Sequence, residues 1–251
     1  MLSFMKTITL FILTTIFSSM FLKSDFVTEQ KKFERVRTAI KEKEATVKKS
    51  LKDAGINYDK LNILIKAYKH EQQLDIYAKN KEEKSYKKII SYKICALSGF
   101  LGPKREQGDG QVPEGFYFID QFNPVSNFYL SLRVSYPNQA DKKKSKASNL
   151  GGDIFIHGSC VTIGCMPMTD EKIKEIYLYA IQATECGQLK IPVYIFPFKM
   201  TAENMKTYAE KYKTNKPLLK FWENLKIGYD LFDTNKQELT VKVDNKGDYL
   251  F

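Results

Sequence analysis

From Gln73 to Phe196 the chain is dominated by short runs rich in β-branched and aromatic residues, each closed off by Gly, Pro, Asn or Asp. The runs are Gln73–Ala78 (QLDIYA), Tyr86–Ala96 (YKKIISYKICA), Gly115–Asp120 (GFYFID), Asn127–Ser135 (NFYLSLRVS), Gly152–Ile156 (GDIFI) and Ile191–Phe196 (IPVYIF). Residues that fit a pleated surface, with turn formers between them, specify strands. Leu101–Gly115 (LGPKREQGDGQVPEG) reads as a long loop, and DKKKSK at 141–146 as an exposed one. The clearest helix is Thr169–Ala183. Thr169 is placed to cap it, Asp170 and Glu171 occupy the first turn, and Ile173, Ile176, Tyr177, Ala180 and Ile181 form one apolar stripe. Thr201–Tyr212 and Lys216–Leu225 also read as helices. Many strands with a few helices predict an α+β domain built on mixed sheets with flanking helices.

The N-terminal part differs. Thr28 to Leu51 is dense in Lys, Glu and Gln, with Phe33, Val36, Ile40 and Val47 at largely helical spacing, which predicts a surface helix. Asn57–Tyr68 (NYDKLNILIKAY) is compatible with a strand or with another short element. Residues 1–22 have one early lysine, Lys6, then an apolar run, then Ser18 and Ser19 before a polar switch at Lys23. That is the layout of an export signal, or of an uncleaved anchor if Met20–Leu22 extend the apolar stretch. The expected organisation is a leader at 1–24, a helical arm at 25–72 and a catalytic domain at 73–251, in the periplasm or cell envelope. Contact with a membrane is expected only through the leader. The 251 residues are 43% hydrophobic and carry a net charge of +11, so the chain has a core and favours an anionic partner. Export makes that partner a wall polymer or anionic lipid, not nucleic acid.

Chemistry concentrates in Asp153–Asp170 (DIFIHGSCVTIGCMPMTD). An apolar strand ends at His157, a short loop follows, and Gly164-Cys165 precede a helix start. A thiol becomes a nucleophile when a base takes its proton or positive potential lowers its pKa. His157 is eight residues before Cys165, and the helix start follows. Gly164 leaves room for a carbonyl, and amides beside Cys165 are candidate oxyanion donors. The parts suit acyl transfer through a thioester.

The run IHGSCVTIGCMPMTD resembles the active-site segment of the L,D-transpeptidase (YkuD) catalytic domain family, and within it the YafK-like murein branch. The family's HG pair falls on His157-Gly158. Its [ST]-x-G-C end falls on Thr162, Ile163, Gly164 and Cys165. Ser98–Phe116 is similar to the family's G-x-K…G-D…T-P-x-G-x-[FY] stretch, with Val112 for the usual Thr, and Arg133–Asp141 resembles a branch-specific strand end. Ile163 and Pro167 stand where most of the family has His and Arg, departures that the branch shares. The resemblance implies an L,D-transpeptidase-like β-sandwich with flanking helices. It also implies a cofactor-free enzyme acting on peptidoglycan stem peptides at meso-diaminopimelate. Cys165 would be nucleophile, His157 general base, and Gly164, Gly158 and Thr162 the oxyanion loop. The acceptor would be a diaminopimelate amine, a wall-linked lipoprotein lysine or a similar amine, or water in a hydrolase. Arg133, Lys104 and Tyr136 are candidates for substrate contacts, with Arg105 beside them.

Several alternatives stand next to this reading. Cys160 shares the loop and could itself be the nucleophile, or pair with Cys165 or Cys186, while Cys95 reads as core. His157, Cys160, Cys165 and Cys186 together offer a zinc-like ligand set. A wall-binding module without turnover could use Tyr136, Trp222 and Tyr229 as a groove, although such aromatics more often fill a core. His70 lies in a polar stretch and reads as solvated.

Overall fold

The computed structural model describes residues 26–251. The leader predicted at 1–24 lies outside them. Among the described residues no helix is long and apolar enough to cross a membrane.

The chain opens with α1 (Phe26–Gln30) and α2 (Glu34–Asp53). Strands β1 (Leu61–Tyr68), β2 (Gln73–Asn80), β3 (Lys87–Lys93), β4 (Gly115–Asn123) and β5 (Ser131–Val134) come next. They are followed by α3 (Gln139–Lys144), β6 (Phe155–His157), β7 (Met166–Pro167), α4 (Asp170–Glu185) and β8 (Ile191–Phe196). The chain closes with α5 (Ala202–Lys211), α6 (Lys216–Asn235), β9 (Lys242–Val243) and β10 (Tyr249–Leu250). Eight strands form one mixed sheet in the order β3-β2-β1-β8-β4-β5-β6-β7, and β9 and β10 form a small hairpin. The fold is α+β, with one continuous mixed sheet flanked by helices.

The sheet has a core on each face. Along β1, Leu61, Ile63, Ile65 and Ala67 face the cluster under α2 and α4, while Leu64 and Tyr68 face the cluster under α6. β8 divides likewise, Ile191, Val193 and Ile195 to one side and Tyr194 and Phe196 to the other. Strands covered on both faces read as unbroken apolar runs, which is why IPVYIF lacks alternation.

β1 settles the segment whose type was open. It pairs antiparallel with β2 and parallel with β8, at the middle of the sheet. The sheet therefore begins twelve residues before the boundary drawn at residue 73, because the β1–β2 hairpin cannot be divided between two domains. Within this strand Lys66 is fully buried. Its ammonium bonds Asp233 at 2.8 Å and lies over the Tyr229 ring at 4.0 Å. The predicted N-terminal helix is α2, packed through Val36, Ala39, Val47 and Leu51. The stripe is interrupted at Lys43, which instead pairs with Glu171 and Glu175 of α4 at 2.7 and 3.5 Å.

The segment read as the DKKKSK loop is α3 for most of its length. Asn138 and Asp141 form a reciprocal capping box, and Asp141 is buried against Arg105 and Tyr117. Three consecutive lysines hid a helix whose only core residues are Ala140 and Asp141. α6 runs ten residues beyond the predicted end at Leu225, ending at Lys236 in the left-handed region. Tyr136, Trp222 and Tyr229 are all buried, so they fill the core and line no groove.

Candidate active site

The site lies at the β6–β7 edge. β7 pairs parallel with β6, Ile156 opposite Met166 and His157 opposite Pro167. Parallel pairing obliges the connection, residues 158–165, to carry the chain back to the start of β6, so Cys165 sits level with Phe155. β5 continues the rows: Arg133 opposite Phe155, Ser131 opposite His157. Leu132, Ile156 and Met166 are buried in the core on one face. Alternation places Arg133, Phe155, His157 and Cys165 on the other. His157 and Cys165 are thus diagonal neighbours, about 8 Å between Cα atoms at ordinary strand spacing. That separation lets an imidazole and a thiol meet above the ladder.

His157 is fixed from two sides. Its Nδ1 lies 2.5 Å from the Gly158 carbonyl oxygen, and its ring lies against Phe128, centroids 4.6 Å apart and planes tilted by 32°. A carbonyl only accepts, so Nδ1 carries the proton and Nε2 is the free basic nitrogen. Burial pushes the His157 pKa down, partly offset by the Gly158 bond. The ring is therefore neutral at pH 7. The Cys165 thiol donates to the Asp153 carbonyl at 3.5 Å and accepts from the Phe155 amide at 3.4 Å. Burial raises its pKa. The Phe155 amide opposes this, Asp153 adds to it and Lys104 opposes it. At rest the thiol is turned to the Asp153 carbonyl and the Phe155 amide, and the imidazole is held by the Gly158 carbonyl and Phe128.

The predicted loop residues have distinct places. Gly164 has φ +133°, and a Cβ there would lie 3.2 Å from the Gln111 carbonyl oxygen. A Cβ on Gly158 would lie 2.6 Å from an Asp170 carboxylate oxygen and 2.8 Å from the Phe128 carbonyl oxygen. Thr162 Oγ1 accepts from the amides of Gly164 (3.2 Å) and Cys165 (2.8 Å) and donates to the Cys165 carbonyl (2.9 Å). Both amides expected to face an oxyanion are thus engaged at rest. The start of α4 is capped by Thr169, and its Asp170 accepts from the Ser159 amide at 2.9 Å.

Arg133 shares the row of Cys165, and its guanidinium pairs with Asp120 at 2.8 and 3.3 Å. Lys104 is buried, donating to Asp109 at 2.6 Å and the Glu106 carbonyl at 2.7 Å. Its charge reaches Cys165 through the field rather than by contact. Tyr136 is buried, with its hydroxyl 3.3 Å from the Leu150 carbonyl oxygen. Lys104 and Tyr136 therefore hold the long loop around the site.

Cys160 is bonded to Cys95, which corrects the reading of Cys95 as a plain core residue and removes Cys160 as a nucleophile. Cys165 and Cys186 are free. Cys186 sits at the far end of α4, 3.5 Å from the Tyr58 carbonyl oxygen, roughly 24 Å from the helix start at 1.5 Å per residue. The zinc-like set is consequently scattered. Among the described residues no group of three or more His, Cys, Asp or Glu could hold a metal ion. His70 stacks edge-on against Tyr208 at 5.5 Å, away from the site.

Sequence reasoning missed Phe128 against His157 and Cys95 as the partner of Cys160. It also missed the buried Lys69–Glu114 pair that anchors the long loop, with Lys69 Nζ 3.0 Å from Glu114 Oε1. Each joins residues far apart in the chain. Only the eight-residue spacing from His157 to Cys165 was local enough to read.

Comparison with known proteins agrees with the motif. The YkuD L,D-transpeptidase catalytic domain profile matches residues 62–195. YafK of Escherichia coli K12, named provisionally as an L,D-transpeptidase, is 42% identical over 185 residues, covering 73% of this chain and 71% of that protein. Among solved structures, the helical cell shape determining protein Pgp2 of Campylobacter jejuni is similar at 18% identity, covering 74% of each chain with a TM-score of 0.44. Bd1075 of Bdellovibrio bacteriovorus is similar at 24% identity, covering 67% of this chain and 60% of its own, with a TM-score of 0.39. On the profile match and the YafK identity, the chain belongs to the L,D-transpeptidase (YkuD) family.

Proposed function

We propose that the protein is a cysteine-dependent acyltransferase of the cell envelope, acting on peptidoglycan stem peptides. The observation that carries this is the placing of Cys165 and His157 on one face of the β6–β7 ladder, with Nδ1 of His157 held by the Gly158 carbonyl. Gly158, expected from the sequence in the oxyanion loop, thereby acts through its backbone carbonyl as the group that orients the base.

The thiol turns from Asp153 and gives its proton to Nε2 of His157. The sulfur attacks the carbonyl carbon between meso-diaminopimelate and the terminal D-alanine. Collapse of the tetrahedral adduct breaks the C–N bond, and the imidazolium proton leaves with the D-alanine amine. An acceptor amine then attacks the thioester, its proton passes to His157, and the thiol is restored. Water in place of the amine yields a free carboxylate. In the resting site Thr162 Oγ1 occupies the amides of Gly164 and Cys165, so an oxyanion binds there by replacing it. Arg133, in the row of Cys165, is placed for a carboxylate of the stem peptide if Asp120 releases it. A lipoprotein lysine is an acceptor of the same chemistry. The apolar leader at 1–22 fits delivery to the periplasm, where this substrate is found.

The test is incubation of the purified protein with muropeptides, followed by mass analysis. Cross-linked, D-amino-acid-exchanged and trimmed products have different masses and so identify the acceptor. Cys165→Ala is expected to abolish all three and to block acylation by a carbapenem. Products from Cys165→Ala at the wild-type rate would dismiss the proposal.

A further inference from the structure

The loop from 158 to 165 contains two cysteines, Cys160 and Cys165, only five residues apart. The bond observed joins Cys160 to Cys95, at a sequence separation of 65. Loop-closure entropy opposes that choice. With contact probability falling as the −3/2 power of separation, Cys160 meets Cys165 on the order of tens of times more often than Cys95 in an open chain. A pairing against this bias requires a seat, and the fold supplies one. Beyond β3, the Ile94 amide donates to the Gln72 carbonyl at 2.7 Å and the Cys95 amide to the Pro167 carbonyl at 3.0 Å. Cys95 is thereby set beside β7, two residues past Cys165, while Cys165 Sγ is turned to Asp153 and Phe155.

We propose that Cys95 is a guard residue: by holding Cys160 in a disulfide, it prevents Cys160 from capturing the catalytic thiol. Cys95 is a positioning residue that acts through Cys160 and does not touch substrate. Without Cys95, and in the presence of a small-molecule disulfide such as oxidised glutathione, Cys160 and Cys165 join. One S–S bond forms between them, their two protons and two electrons reduce one glutathione disulfide to two thiols, and the nucleophile is lost. Cys160 is solvent-exposed, so an exchanging disulfide reaches it. The catalytic meaning rests on Cys165 being the nucleophile, whereas the pairing itself does not.

The experiment uses the full chain in oxidised glutathione, alkylation with iodoacetamide, and non-reducing peptide mapping, which separates Cys165 from the free Cys186. Wild type is expected to show a 95–160 crosslink and an alkylated Cys165. Cys95→Ser is expected to lose most Cys165 alkylation, at least five-fold, to a 160–165 crosslink that dithiothreitol reverses. Cys95→Ser/Cys160→Ser lacks the same native bond and is expected to regain alkylation, with the wild-type dependence of its rate on pH. That recovery separates guarding from a merely structural disulfide.

A mutation-free arm follows reoxidation of the reduced wild type, in which 160–165 species are expected early and are replaced by 95–160. A freely alkylated Cys165 in Cys95→Ser, or a 160–165 end product in wild type, would overturn the proposal. Mapping as expected in a protein that leaves muropeptides unchanged would sink the enzymatic reading and leave the guard pairing standing.

Discussion

Glu114→Gln tests how the long loop beside the site is held. Glu114 is fully buried and Lys69 nearly so. Lys69 Nζ donates to the carbonyls of Gly102 (2.7 Å) and Val112 (2.9 Å) and to Glu114 Oε1 (3.0 Å). Glu114 in turn accepts from the Gly102 amide (2.7 Å) and the Trp222 indole (2.9 Å). Two turns of the loop and helix α6 thus meet on one carboxylate. An amide in its place leaves the ammonium without a counter-charge and turns an N–H toward a donor. Breaking one side of a buried pair costs about 3–5 kcal/mol. For a domain of this size that lowers Tm by about 6–20 °C.

Urea unfolding followed by circular dichroism measures the loss. Lys69→Met should cost a similar amount, and the double variant should cost less than the sum by about 1–3 kcal/mol, because the two charges share one defect. The sign with pH is also fixed. Burial already pushes the Lys69 pKa below its ordinary 10.5, with Glu114 pulling it back. In Glu114→Gln the folded pKa falls further, so the unfolded state binds more protons at any pH between that pKa and 10.5. The variant's stability should therefore rise, and its deficit narrow, as pH increases from 7 to 9.5. A cost under about 1 kcal/mol, or strictly additive singles, would refute the reasoning.

Other outcomes follow from the site. Because burial raises the Cys165 pKa above its ordinary 9.0, alkylation of Cys165 should still be increasing at pH 9. A plateau near pH 6 in a stopped-time alkylation series would show a resting thiolate–imidazolium pair instead. Because His157 is held below its ordinary 6.5, kcat/KM on a stem peptide should fall only under about pH 6.5 on the acid side. Thr162→Val removes a hydroxyl that bonds two amides and a carbonyl. It should cost about 1–3 kcal/mol in thermal unfolding and lower kcat, whereas Thr162→Ser should retain most of both. Gly158→Ala sets a methyl against Asp170 and the Phe128 carbonyl. It should destabilise by about 1–3 kcal/mol in urea, and an undisturbed midpoint would contradict the packing.

Local chemistry fixed much of the chain in advance. Turn formers and β-branched runs marked β2, β3, β4 and β8, and Thr169 with its acidic first turn marked α4, because these signals act within a few residues. The expectation that His157 and Cys165 belong to one segment of the site was legible for the same reason: one short loop joins them. What needed the tertiary structure were the interactions that join distant segments. β1 was ambiguous until Asp233 and an aromatic cage were seen to accept Lys66, and α3 was hidden until Asp141 was seen buried against Arg105. The bond from Cys160 to Cys95 was invisible because chain entropy favours the near thiol, and only a seat built by β3 and β7 reverses that preference.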